Sequence, residues 1–160
     1  MSNEKTSFVY VTYIRSTPEK VFEAITQPEI ARRYWGHENV SDWKPGSAWQ
    51  HVRDDAQRPV RVVGKVVEVA PQKRLVITWA DPARAAEPAA YSRVAFDIAE
   101  YDGMVKLTVT HDELEAGGGM AKGIQRGWPI VLSSLKSLLE TGQGMDVFAQ
   151  PKEGVAESCS

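Results

Sequence analysis

The stretch that decides the fold is IQRGWPIVLSSLKSLLETG, residues Ile124–Gly142. Its large apolar side chains recur every three or four residues, as on a helix with one apolar face. They belong to Ile124, Trp128, Val131, Leu132, Leu135, Leu138 and Leu139. Gly142 predicts the end of this helix, because glycine readily adopts the left-handed conformation that often follows a last turn. Pro129 lies inside the pattern and predicts a kink or a fresh start there.

Upstream of this helix, the chain alternates apolar and polar residues with the period of two that is typical of β-strands. Strands are predicted over Phe8–Ile14, Trp49–Val52, Val60–Val69, Leu75–Trp79, Val94–Ile98 and Val105–His111. Asp102-Gly103 predicts a tight hairpin turn, and residues 54–57 predict another hairpin loop. A change of parity at Gly64 predicts a β-bulge. Sequential strands of this kind favour an antiparallel sheet of about six strands, covered by the long helix.

Two short helices are expected between the first strand and the rest of the sheet. Thr17 is a candidate N-cap with Pro18 at the first helical position, and a second helix is predicted over Glu29–Tyr34. Residues 36–39, which contain His37, are predicted to form a loop. The predicted fold class is therefore α+β, with a single domain over residues 7–142 and flexible tails over residues 1–6 and 143–160.

Composition narrows the function classes. The 160 residues suggest one domain, and 19 Lys+Arg against 21 Asp+Glu give a net charge of −2, which argues against a nucleic-acid binder. No apolar run reaches the ~18 residues of a membrane span, and the first residues form no apolar signal region. The single Cys159 excludes an internal disulfide and a cysteine metal cluster, so we expect a cytoplasmic protein without metal or cofactor.

Five segments carry a resemblance to a known family: STPEKVFEAITQPEIARRYW (16–35), SDWKPGSAW (41–49), GKVVEVAPQKRLVITW (64–79), VKLTVTHDEL (105–114) and GWPIVLSSLKSLLETG (127–142). In this order and spacing they resemble the START-like or SRPBCC superfamily, and within it the branch of the activator of the heat-shock-protein-90 ATPase. The resemblance covers roughly Phe8–Gly142. It implies a helix-grip fold, in which a curved antiparallel sheet wraps around the C-terminal helix. It also implies a cavity between them, which such proteins often use for apolar small molecules.

The five tryptophans are the unusual feature of the composition. They either pack the core or line a pocket, whose walls are typically apolar and aromatic. Trp79 and Trp128 lie on apolar faces and are the best candidates for the wall, whereas Trp35 and Trp43 lie near helix ends or loops and would line a rim. The candidate cavity residues are Trp35, Trp49, Trp79, Tyr91, Phe96, His111, Trp128 and Leu132.

The three histidines allow more than one interpretation. His111 shares parity with the apolar residues of its strand and should point inward, where a hydrogen-bonded core role is favoured over contact with a ligand. His51 faces away from Gln50 and Val52. No two of the histidines have metal-ligand spacing, and no serine-hydrolase motif occurs, so no metal site and no catalytic residue are predicted. Residues 117–119 (GGG) are predicted to form a hinge at the cavity entrance or a plain linker.

These observations favour a protein that binds a small apolar or amphipathic ligand, oriented by His111 or Tyr91. The resemblance adds a co-chaperone-like or stress-related interaction module with a chaperone partner as an alternative. A cavity enzyme of the cyclase or hydrolase type, using His111, is a further alternative. The chain is expected to be a monomer or a homodimer, with Trp43 as a candidate for the dimer face.

Overall fold

One antiparallel sheet and one long helix organise the structure, a computed structural model that describes residues 4–145. In these residues the sheet has seven strands in the order β1-β7-β6-β5-β4-β3-β2. The elements are β1 (Lys5–Ile14), α1 (Pro18–Thr26), α2 (Pro28–Trp35), β2 (His37–Val40), β3 (Ala48–Arg53), β4 (Val60–Ala70), β5 (Arg74–Trp79), β6 (Ser92–Tyr101), β7 (Met104–Glu115) and α3 (Gly119–Thr141). The predicted α+β helix-grip fold is confirmed: the sheet is curved, and α3 contributes its apolar side to the same core.

The sheet has one strand more than the approximate count of six. The additional strand is β2, which the sequence analysis assigned to a loop. It pairs with β3 from His37 opposite Arg53 to Val40 opposite Gln50. Its first three residues are all buried, so the alternation that reveals a strand is absent.

The folded region extends beyond the predicted limits of 7–142. At the N-terminal end, β1 pairs with β7 from Lys5 onward, and Lys5 lies opposite Glu115. At the other end, the backbone N–H of Met145 donates to Ser134 Oγ on α3 at 2.8 Å. Contacts with the folded domain therefore reach beyond the predicted limits, to Lys5 at one end and Met145 at the other. Residues 1–3 and 146–160 lie outside the described residues.

Gly64 allows Thr78 and the Trp49 indole to approach β4 closely, and the bulge predicted at Gly64 lies elsewhere in the strand. Val62, Gly64 and Val66 are all buried along β4, so the parity holds through the glycine. The pairing with β5 shifts between Val66 and Glu68 instead. A Cβ atom at Gly64 would overlap the Thr78 carbonyl oxygen and lie 2.6 Å from Trp49 Nε1. Only glycine therefore leaves room for the indole of Trp49 beside this strand.

The helix ends follow the predicted signals. Thr17 Oγ1 accepts from the backbone N–H of Lys20 at 3.2 Å, which confirms the N-cap of α1. Gly142 has φ +89° and donates its N–H to the Leu138 carbonyl at 2.8 Å, which ends α3. The fresh start predicted at Pro129 is wrong, because α3 continues through it. Pro129 has no N–H to donate to the Gln125 carbonyl, so one helical hydrogen bond is lost. Because Gln125 is exposed, water can bond to this carbonyl instead.

No helix among residues 4–145 combines the length and the apolar character that crossing a membrane requires.

Candidate functional site

A cluster of aromatic rings lies in the interior between the sheet and α3. We call these side chains the aromatic box; each is at most 3% exposed: Trp35, His37, Trp49, His51, Trp79, Phe96, His111 and Trp128. Ring centroids of Trp128 lie 5.6 Å from those of both Trp35 and Trp79 and 5.8 Å from that of Phe96. The Trp49 centroid lies 5.5 Å from that of Trp79. Tilted and edge-on pairs of this kind stabilise an aromatic cluster.

The secondary structure explains how the rings converge. Trp49 and His51 lie two residues apart on β3 and therefore face the same side of the sheet. Trp35 is the last residue of α2, where Gly36 turns the chain with φ +69°. Trp128 projects from the buried side of α3. Because these elements are distant in sequence, the box forms only when the sheet closes around α3.

The indole N–H groups of three tryptophans in the box have partners, as is common for buried tryptophans. Trp49 Nε1 donates to the Thr78 carbonyl at 2.7 Å, and Trp79 Nε1 lies 3.3 Å from Met120 Sδ. Trp128 Nε1 donates to His111 Nδ1 at 3.1 Å. These bonds fix the orientation of three rings.

His111 is neutral, and its tautomer follows from its partners. Because the indole of Trp128 can only donate, Nδ1 of His111 carries no proton. Nε2 therefore donates to Ser92 Oγ at 2.7 Å, and Ser92 Oγ donates to the Trp79 carbonyl at 3.1 Å. Burial lowers the pKa of His111 to about 3. His111 thus has the hydrogen-bonded core role that the sequence favoured.

His51 differs from His111 in keeping one free nitrogen. The Asn39 amide donates its Nδ2 proton to the Ile25 carbonyl at 2.8 Å, so its Oδ1 is the acceptor. His51 Nδ1 lies 2.7 Å from that oxygen and must donate to it. Among residues 4–145, no group bonds to His51 Nε2. Burial, with smaller contributions from the charges of His37 and Arg61, lowers the pKa of His51 well below its usual value.

His37 stacks directly on His51. The two ring centroids are 4.4 Å apart and the planes differ by 4°. His37 Nδ1 lies 2.9 Å from the Trp35 carbonyl oxygen, to which it donates. The pair places two imidazole rings next to Trp35, whose centroid is 4.5 Å from that of His51.

The space left inside the box is small. A cavity of about 10 Å³ lies between the rings of Trp35, Trp79 and Trp128, with Ile124, Gly127 and Val131 of α3 completing its wall. This volume is about that of one water molecule. The rings themselves occupy the space that the sequence analysis expected to be open, so an organic ligand can enter only if α3 or these side chains move.

A larger groove lies outside the box, between the outward-facing side of β3–β5 and residues 81–91. Its volume is about 770 Å³, and its walls include Val63, Val67, Pro88 and Tyr91. The groove reaches Trp49 beside Gly64. Ligand sites commonly measure about 300–1,000 Å³, so the size of the groove also suits a small molecule.

Charged groups approach the box at β2. The carboxylate of Glu38 lies 2.7 Å from both Arg32 Nη1 and Arg58 Nη2. The hydrogen bond from Arg58, followed by that from Arg32, lowers the pKa of Glu38 despite its burial. Among the residues that the structure describes, no three His, Cys, Asp or Glu side chains are grouped to hold a metal ion.

Seven of the eight predicted cavity residues lie in this interior. Trp35, Trp49, Trp79, Phe96, His111 and Trp128 belong to the box, and Leu132 is buried on the same side of α3. Tyr91 is the exception: its hydroxyl donates to the Ala85 carbonyl at 2.7 Å, and it lines the outer groove. It precedes β6 and follows a short 3₁₀ turn, so strand parity does not direct it inward.

Sequence reasoning missed His37, His51 and Asn39 as site residues. For His51 a signal was available, because it shares parity with Trp49. His37 and Asn39 had none, since β2 shows no alternation. Trp43, a candidate for the rim or a dimer face, is half-buried and donates its Nε1 proton to the Thr26 carbonyl at 2.8 Å.

A curved antiparallel sheet that wraps around a long C-terminal helix defines a helix-grip protein. The chain belongs to the family described as Activator of Hsp90 ATPase homolog 1-like protein, which matches residues 15–140. The predicted recognition is thereby confirmed.

Solved structures agree with the fold. The Aha1 dimer from Colwellia psychrerythraea is 19% identical, with a TM-score of 0.73, and the match covers 87% of this chain and 99% of that one. MLL2253 from Mesorhizobium loti is 24% identical, with a TM-score of 0.70 and coverage of 84% and 97%. CalU16 from Micromonospora echinospora is 20% identical, with a TM-score of 0.71 and coverage of 94% and 75%. No curated protein matches the chain in sequence.

We expect stability to fall as the pH drops from 7.5 to 5.5. The unfolded state titrates its histidines near pH 6.5, whereas folded His111 titrates at about 3 and His51 also far below its usual value. Between these values the unfolded state binds more protons, so the stabilisation is complete above pH 6.5 and is lost as the pH falls. The expected loss is about 1.4 kcal/mol for His111 over this range, and His51 adds to the loss in the same direction.

Urea unfolding at the two pH values measures this loss. As a check without substitutions, the Cε1–H resonances of His51 and His111 should not move between pH 7.5 and 5.5 in the folded protein. If either resonance titrates with a midpoint near 6.5, the tautomers and the burial described above are incorrect.

Proposed function

We propose that this protein binds a small apolar or amphipathic ligand in the aromatic box, between the sheet and α3, and that it does so in the cytoplasm. Family membership supports a START-like ligand-binding domain in general terms. The observation that carries the specific proposal is the composition of the interior. Rings from seven strands and helices meet there, and three of them are histidine rings that carry polar nitrogens. Apolar walls with a few oriented polar groups are characteristic of small-molecule sites.

The first half of α3 is the part of the box that can open most easily. Gly118, at the N-cap, provides no side-chain cap, and the first turn contains no acidic residue. Gly123 and Gly127 each weaken a helix by about 1 kcal/mol relative to alanine. Pro129 removes a hydrogen bond at the point where Trp128 enters the box. Local opening of this segment therefore costs less than unfolding the sheet, and it would uncover the small cavity beside Trp128.

Ligand binding can be tested with defined compounds: 2-naphthol, indole, 1-decanol and decanoate. We expect at least one of them to raise the midpoint of thermal unfolding in a saturable way and to change tryptophan emission, because a ligand that binds only the folded state stabilises it. The absence of both effects across the series, up to the solubility limit of each compound, would contradict the proposal.

A single substitution tests the role of the first half of α3. A Cβ atom at Gly119 meets nothing within 4 Å, and its φ is not in the left-handed region. Gly119→Ala should therefore stabilise the protein by about 0.4–1 kcal/mol. If the start of α3 must open, ligand association should slow by up to about fivefold, measured by stopped-flow emission. An unchanged rate in a stabilised variant would show that the ligand enters elsewhere.

A second candidate function is contact with a chaperone, which the family description suggests. An exposed apolar stripe on the edge strand β1 favours it: Val9 is 56% exposed, and Val11 and Tyr13 follow on the same face. The ring of Tyr13 lies 5.1 Å from that of Tyr101, which extends the stripe to β6. Exposed apolar patches often mark protein interfaces.

Copurification with the cognate Hsp90 and an ATPase assay separate the two functions. The double variant Val9→Lys/Val11→Lys should abolish chaperone contact and leave ligand binding unchanged. Light scattering on the same variant tests the alternative that the stripe joins two copies in a homodimer. A cavity enzyme is not favoured, because both ring nitrogens of His111 bond to protein groups and are not placed to move a proton for a substrate.

A further inference from the structure

His51 carries a buried hydrogen-bond acceptor that the fold of residues 4–145 does not use. Its side chain has no solvent exposure, and Nε2 has no bond to any described group. Burying such an atom without a partner is unfavourable, and native proteins contain few examples. His111, on the opposite side of Trp79, has both nitrogens bonded. The difference singles out His51.

The acceptor character of Nε2 is fixed by a chain of two bonds. The Ile25 carbonyl orients the Asn39 amide, and the Asn39 oxygen then holds the proton of His51 on Nδ1. Reversing the amide would break both bonds. The stacked ring of His37 and the surrounding indoles disfavour a second proton on His51, because burial penalises the charged form. Nε2 therefore presents a lone pair, and only a donor can satisfy it.

His51 lies next to two of the rings that border the small cavity. Trp35 and Trp79 border the space of about 10 Å³. The same two rings contact His51, with centroid distances of 4.5 Å and 5.9 Å. His51 does not itself border the space, so a ligand contacts its ring only by displacing one of these two indoles.

We propose that His51 Nε2 is the polar anchor of the ligand and selects compounds that carry a neutral hydrogen-bond donor, such as a phenol, an alcohol or an N–H group. Ethers and halides of the same shape lack the donor, and an ionised carboxylate would place an acceptor against an acceptor in a buried site. This inference rests on the proposed function and adds the chemical class of the ligand to it.

The test compares 2-naphthol with 2-fluoronaphthalene, which has a similar shape and no donor. Isothermal titration calorimetry on the unmodified protein should show at least about tenfold tighter binding of 2-naphthol. In His51→Phe this preference should disappear through weaker binding of 2-naphthol. Tyr91→Phe, which removes a hydroxyl from the outer groove, should keep the preference.

The outcomes separate this inference from the proposal beneath it. Equal affinities in the unmodified protein overturn the role of His51 and leave ligand binding intact, whereas no binding of either compound overturns both. A preference that persists in His51→Phe assigns the anchor to another group. If that variant does not fold, the ¹⁵N resonances of the unmodified protein decide: 2-naphthol should shift His51 Nε2 and leave Nδ1 in place, and an unmoved Nε2 rejects the proposal.

Discussion

Gly64→Ala is expected to lower the free energy of unfolding by about 3–5 kcal/mol, through overpacking and the loss of a buried hydrogen bond. The new methyl group would overlap the Thr78 carbonyl oxygen and lie 2.6 Å from Trp49 Nε1. Both are the atoms of the 2.7 Å hydrogen bond that orients the Trp49 indole. Removing this overlap requires a shift of the β5 backbone or displacement of Trp49 from the box. Both changes are unfavourable in a closely packed interior.

The matched control is Gly119→Ala, the same chemical change where the added Cβ meets no atom within 4 Å. Urea unfolding of the two variants compares them directly. The control should be slightly more stable than the unmodified protein. If Gly64→Ala stays within about 1 kcal/mol of the unmodified protein, the close approach of Trp49 to this strand is incorrect.

Trp128→Ala is expected to destabilise the protein by about 3–5 kcal/mol. The substitution removes the ring that contacts Trp35, Trp79 and Phe96, and it leaves His111 Nδ1 without its donor. It also converts a space of about 10 Å³ into a cavity the size of an indole. Free indole should refill that cavity, since buried apolar cavities bind ligands of matching shape.

Indole that fills the cavity of Trp128→Ala should also restore stability. At an indole concentration of 100 times its Kd, binding returns about 2.7 kcal/mol of the lost stability. Trp128→Phe is the control: it keeps most of the packing but removes the N–H, so we expect a loss of about 1–3 kcal/mol and a much smaller recovery with indole than in Trp128→Ala. A Trp128→Ala variant that is stable, or that indole does not stabilise, would place Trp128 outside the core.

The inward direction of Trp79, Phe96 and His111 was predictable because each lies on a regular strand where parity decides which face is buried. The same rule would have included His51, which shares a face with Trp49. Parity gave no information on β2, because its first three residues are all buried and do not alternate. It also failed at Tyr91, which lies outside the strands.

That the box is closed could not be predicted from the sequence, for a different reason. Whether space remains between a sheet and a helix depends on side-chain rotamers and on the distance between the two layers, and neither follows from hydrophobic periodicity. Gly64 illustrates the same limit. A glycine inside a strand indicates either a bulge or a close approach, and only the position of the Trp49 indole decides between them.

The most direct test of ligand binding in the box is the set of five indole N–H resonances in the ¹H–¹⁵N spectrum, assigned by single Trp→Phe variants and followed during titration with 2-naphthol. Binding between the sheet and α3 should shift the signals of Trp35, Trp79 and Trp128 and leave that of Trp43 unchanged, because Trp43 bonds to the Thr26 carbonyl away from the cavity. Shifts confined to Trp49 and the ring of Tyr91 would place the ligand in the outer groove instead and contradict the proposed site.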